Sequence, residues 1–244
     1  MKRMLLFAVV LVLIAPLMPA TFAQDGSPET SAEAVTIEAS DGLQLQGDFY
    51  LPESEEPVPG VILMHMLGSL RSAWRPLIPV LVDEYNFAVL NIDLRGHGET
   101  GGERDWTLAE TDVQTAIDWL REQEGVDPGR ISLVGASIGS NLAIRGWAND
   151  AEIATVVALS PGLDYRGVTT EDAVANNPER PIMLVASRDD TFSADTVNQL
   201  YAVTEGYTQL RMYAGSRHGT NLFNDEDIRD YLTTAIAAWL AENN

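Results

Sequence analysis

The chain has 244 residues, ordinary apolar content and no cysteine. It is long enough for one sizeable core, and it has no disulfides, thiolate nucleophiles or cysteine metal sites. Its 36 acidic against 15 basic residues give a net charge of −21, which repels nucleic acid and anionic membranes and argues against a phosphate-rich partner.

Residues 1–23 place Lys2 and Arg3 before an apolar run broken by Pro16 and Pro19, with small residues around Thr21 and Ala23. This is the pattern of a secretory signal peptide, and it predicts a secreted or periplasmic protein; the alternative is an uncut N-terminal membrane anchor. Removing the segment takes both its basic residues and no acidic ones, so the mature chain would carry −23 and, without Lys2, no lysine. That acidity reads either as adaptation to high salt or as an ordinary solvated surface. Residues 24–33 are polar and rich in turn formers, and predict a short tether. Residues 34–244 are expected to form a single domain that makes no stable membrane insertion.

The domain opens with two alternating runs around Asp41-Gly42, the signature of an antiparallel hairpin. Six short apolar runs follow, "VPGVILMHM", "FAVLNIDLR", "RISLVGAS", "ATVVALS", "PIMLVAS" and "TQLRMYAG". Most are continuous rather than alternating, as in strands buried on both faces of a largely parallel sheet. Helical patterns lie between them, at about 76–85, 108–123, 138–149, 194–205 and 225–242. Thr107 and Glu110 have the spacing of a capping box, and the acids of "NDEDIRD" suit the start of the last helix better than a cation loop. The order predicts an α/β fold with a mostly parallel sheet of about eight strands, an N-terminal antiparallel hairpin and helices on both faces.

Within "SLVGASIGSN" an apolar run stops at Gly135-Ala136-Ser137-Ile138-Gly139, and a helical pattern starts at once. Glycines on either side let strand and helix approach closely while the turn lifts the serine hydroxyl out of the sheet. Dinucleotide binding would need a further glycine that is not there. A serine needs a base. Of the three histidines, His65 and His97 precede the serine, whereas His218 lies in the loop between the last strand and last helix. The imidazole in turn needs an acid to fix its tautomer. Asp189 and Asp190 follow the strand "PIMLVAS", and Asp164 is a further candidate.

The ordered set of Gly-x-Ser-x-Gly, a post-strand aspartate and a late histidine resembles the α/β-hydrolase superfamily. The resemblance covers nearly all of residues 34–244 and implies a serine esterase with little or no lid. "DLRGHGET" is similar to a turn whose histidine is structural in that superfamily, so His97 is not the implied base; "HMLGS" gives His65 the same standing. Alignment of the acid loop puts Asp190 at the catalytic position, and a slip of one residue would select Asp189. The implied catalytic set is Ser137, Asp190 and His218, with Ile138 and Leu67 N–H groups forming the oxyanion hole. Met66 stands where glycine is usual and could line the substrate pocket or shift the Leu67 donor.

Residues 163–180 are too few for a large helical cap, so the site is expected to be open and suited to small or surface-presented esters. A thioesterase or amidase on the same residues is the nearest alternative, and a non-catalytic binding protein of the same fold is another. No metal-ligand cluster is present in the sequence, and the chemistry calls for no cofactor. A histidine base must be neutral, so turnover is expected to fall on acidification through roughly pH 6 to 7, where an ordinary imidazole titrates.

Overall fold

The computed structural model describes residues 31–244; the signal-peptide reading, and all but the last residues of the tether, fall outside it. The first strands are β1 (Glu33–Glu38) and β2 (Gln44–Tyr50), the antiparallel hairpin. Then come β3 (Val58–Met64), β4 (Ala88–Ile92), helix α1 (Trp106–Arg121), β5 (Val126–Ala136), helix α2 (Ile138–Asn149) and β6 (Ile153–Leu159). A small excursion follows, made of β7 (Asp164–Tyr165), β8 (Val168–Thr169) and the short helix α3 (Glu171–Ala175). The chain ends with β9 (Ile182–Ser187), helix α4 (Thr191–Ala202), β10 (Thr208–Tyr213) and helix α5 (Glu226–Asn243).

Eight strands form one sheet in the order β1-β2-β4-β3-β5-β6-β9-β10, with every pair from β4 to β10 parallel. Strand β2 pairs antiparallel with both its neighbours. The continuous apolar runs explain the layering. Val61 and Leu63 of β3 face one apolar cluster with α5, while Ile62 and Met64 face the other with α1, α2 and α4. Fully burying one such side chain stabilises by roughly 1.5–3 kcal/mol, so a strand with both faces covered is held more strongly than an alternating one. Because parallel strands all end at the same rim, the loops after β3, β5, β6, β9 and β10 are gathered there. In an open α/β sheet that rim is where ligands bind.

One local expectation is refined and one corrected. The segment 76–85 is helical only over residues 78–84, mostly as a π-helical turn spanning Val80–Glu84, and a 3₁₀ turn at Arg71–Trp74 precedes it. Its apolar residues Leu77, Ile78, Leu81 and Val82 are still buried against the sheet, so burial outweighs regular helical hydrogen bonding in this segment. Thr107 is not the cap of α1. Asp105 is, its Oδ1 accepting from the N–H groups of Thr107 and Leu108, both at 3.0 Å. The acids before α5 do mark its start, with Asp225 accepting from the N–H of Asp227 at 3.2 Å.

Candidate active site

Ser137 is the single residue between β5 and α2, and its backbone takes φ 53°, ψ −122°. Positive φ in a residue with a Cβ is strained, and it persists because the surroundings fix it. The Ser137 N–H donates to Leu159 O at 2.8 Å, and its carbonyl accepts from Ser140 N at 2.8 Å and from Asn141 N at 3.2 Å. The two glycines are required by contact. A Cβ on Gly135 would lie 2.1 Å from Gly139 O, and one on Gly139 would lie 2.4 Å from Met64 O. Ser137 is thus pinned at the rim with its hydroxyl pointing off the sheet.

His218 stands in the loop after β10, far along the chain from Ser137, and its Nε2 is 2.7 Å from Ser137 Oγ. Its Nδ1 is 2.7 Å from Asp190 Oδ2. With the proton on Nδ1, the ring donates to the carboxylate and accepts from the serine hydroxyl. Asp190 sits at the N-terminus of α4 but does not cap it, since its side chain is turned to the histidine. Of the other aspartates, Asp189 is exposed, and Asp164 accepts from Gly167 N at 2.7 Å within the β7–β8 turn. Three aspartates were open in the sequence; one meets the ring.

The His218 loop is tied down by groups that sequence reading did not single out. Ser160 follows β6, and its Oγ accepts from the Gly219 N–H at 2.9 Å. Ser187 ends β9, and its Oγ donates to Arg217 O at 2.6 Å. Both are small hydroxyl residues at the ends of buried apolar runs, a signal visible in "ALS" and "VAS". The loop 65–69 is turned around the Met66 carbonyl, which accepts from His65 Nδ1 at 2.8 Å and from Ser69 N at 3.1 Å. Leu67 packs on the α1–α2 side and Met66 on the α5 side, next to Gly219. Ile138 is the first residue of α2, where N–H groups lack helical acceptors and the helix end favours negative charge. Among the described residues, no three His, Asp or Glu side chains are grouped as a metal site would require.

The excursion between β6 and β9 is a two-stranded hairpin and a five-residue helix, which brings Tyr165 over the site. Its ring lies edge-on to the His218 imidazole, 6.4 Å between centroids. The segment is as short as expected, but Ser137 is only 8% exposed, so the approach is narrower than an empty rim would give.

A serine on a strained strand-to-helix turn, met by a histidine and a carboxylate at the C-terminal rim of such a sheet, defines the class of α/β hydrolases. The family model described as "Alpha/beta hydrolase family" matches residues 58–243, and the chain belongs to that family. Uncharacterized protein YfhR of Escherichia coli K12 is 27% identical over 241 residues, covering 86% of this chain and 84% of that one. Thiohydrolase aneE of Aspergillus aculeatus is 28% identical over 171 residues, 68% of this chain and 53% of that protein. Against several other curated relatives, too, the chain's match spans only about half of their length. Among solved structures, the Pyrococcus furiosus esterase Pf2001 has the same fold, with TM-score 0.73 at 20% identity, over 88% of this chain and 91% of that one.

Proposed function

We propose that this protein is an exported serine hydrolase that cleaves carboxylic esters through an acyl-enzyme. The observation that carries the reading is the 2.7 Å approach of His218 Nε2 to Ser137 Oγ, with Asp190 at the same distance on the other ring nitrogen. His218 takes the Ser137 proton as Oγ attacks the ester carbonyl. The developing oxyanion is met by the N–H groups of Ile138 and Leu67, and Asp190 stabilises the imidazolium. The imidazolium then gives its proton to the departing alcohol. Water, deprotonated by the same histidine, attacks the acyl carbon, and the acid leaves with Ser137 restored. Met66, beside Leu67 and next to Gly219, lines the substrate side of the site in this reading. The substrates are small or surface-presented esters, and export follows from residues 1–23.

A thioester substrate is the second reading, favoured by the similarity to a protein named as a thiohydrolase. The test is labelling of the purified mature chain by a fluorophosphonate, followed by a panel of short esters and thioesters matched in acyl group. Labelling at Ser137 with ester turnover is expected. A folded chain that neither labels nor turns over would sink the catalytic reading, and turnover confined to thioesters would select the second.

A further inference from the structure

We propose that Tyr165 and Phe192 form a wall that selects the leaving alcohol, favouring esters whose alcohol carries a flat aromatic group. The inference rests on the ester-hydrolase reading and adds to it a substrate class and the residues that choose it. Tyr165 comes from β7 and Phe192 from the first turn of α4, and their rings lie 5.5 Å apart with planes tilted by 41°. The absent side chain of Gly162 lets them lie there: a Cβ would meet Tyr165 Cζ at 2.8 Å and Phe192 Cε1 at 2.9 Å. Phe192 is 54% exposed, while the Tyr165 ring is partly buried against the His218 edge. Apolar surface therefore runs outward from the imidazole.

Which half of the ester meets that surface follows from the chemistry of the tetrahedral centre. Its oxyanion points to Ile138 and Leu67, and its leaving oxygen must point to His218 Nε2, which protonates it. A wall resting on the histidine ring therefore flanks the alcohol rather than the acyl chain. Aromatic faces reward a flat, offset-stacked partner beyond simple area burial. The Tyr165 hydroxyl points inward, 3.4 Å from Ser160 O and 3.4 Å from Ser193 Oγ, and it also interacts with the Ser137 side chain. Ser193 Oγ is in turn 3.5 Å from His218 Nδ1. Burial raises the phenol pKa, so the wall presents a neutral ring.

The test compares 2-phenylethyl acetate with n-hexyl acetate, whose alcohols are alike in basicity and differ in flatness. Phe192→Ala is expected to lower kcat/KM for the aromatic ester by about tenfold, and for the alkyl ester by no more than about twofold. Tyr165→Phe should keep the preference, and a series of ethyl esters of lengthening acids should rank as in wild type. Equal losses on both acetates, or a change confined to the acyl series, would overturn the proposal. Binding of 2-phenylethanol to Ser137→Ala, followed by NMR with and without Phe192→Ala, gives a readout free of turnover. If wild type turns over neither acetate while Phe192-dependent binding persists, the catalytic reading alone fails. Turnover of hexyl acetate without aromatic preference overturns this inference alone.

Discussion

Three histidines stand at the C-terminal rim of the sheet, in two regions that treat the same side chain oppositely. His65 and His97 are buried, with rings 5.0 Å apart and nearly perpendicular. His65 donates from Nδ1 to Met66 O and accepts the Leu94 N–H on Nε2 at 3.0 Å, so both nitrogens are spent on backbone. His97 donates from Nδ1 to Arg95 O at 3.0 Å, and its buried Nε2 has no partner among the described residues. Burial pushes the His65 pKa down to about 4 and that of His97 down as well. His218 instead keeps a third of its side chain exposed and has a carboxylate on one nitrogen and a hydroxyl on the other. A ring sealed among backbone groups serves as scaffold, whereas His218 is left partly exposed between a carboxylate and a hydroxyl, the placement that the proposed base requires.

The comparison breaks most sharply under substitution. Ser137→Ala or His218→Ala should lower kcat by a factor on the order of 10⁴–10⁶ with thermal unfolding nearly unchanged; retained turnover would end the assignment. Asp190→Asn should follow, losing about 10³- to 10⁴-fold in kcat because the imidazole loses the partner that sets its tautomer.

The scaffold region should answer in stability instead. Arg95, which opens the turn carrying His97, is buried with Asp112, Nε to Oδ2 at 2.6 Å and Nη2 to Oδ1 at 2.7 Å. Asp112→Asn leaves that guanidinium partly uncompensated and should cost about 3–5 kcal/mol in denaturant unfolding. A change near zero would show that Asp41, 3.0 Å from Arg95 Nη1, suffices alone.

His65 predicts a dependence on pH. An unfolded imidazole titrates near 6.5 and the buried one at about 4, so between these values the unfolded chain binds a proton that the folded chain refuses. Stability is therefore undiminished above pH 6.5 and falls as the pH drops toward 4, by at most about 3 kcal/mol from this group. His65→Asn should flatten that limb of the curve, and an unchanged slope would show that other groups carry it. The smallest effect expected is that of Asp189→Asn, within about twofold in kcat/KM, since Asp189 is exposed and it is Asp190 that meets His218.

Much of the frame was legible in the one-dimensional pattern. Continuous apolar runs such as "VILM" and "IMLVA" become β3 and β9, with both faces covered. The Gly-x-Ser-x-Gly stretch was legible because the strand-to-helix turn itself demands Gly135, although Gly139 answers to Met64 of β3. The apolar spacing around 76–85 reads as helix, and the structure keeps a shorter helical stretch there, mostly of π type, a distinction that spacing does not encode. The capping box misled because the helix starts two residues earlier, capped by Asp105, which leaves Thr107 inside the first turn. Tyr165 went unnoticed for another reason, since a two-residue strand has no periodicity to read.

The amino-acid order by itself determined the layering, the turn that raises Ser137 and the supply of histidines and aspartates behind the strands. It did so because hydrophobic period and turn chemistry act over a few residues. Only the tertiary structure decided which aspartate meets His218, which serines hold that loop and which ring stands over the site. Those choices depend on side chains tens of residues apart reaching contact distance. Sub-ångström packing sets that distance, and no local pattern encodes it.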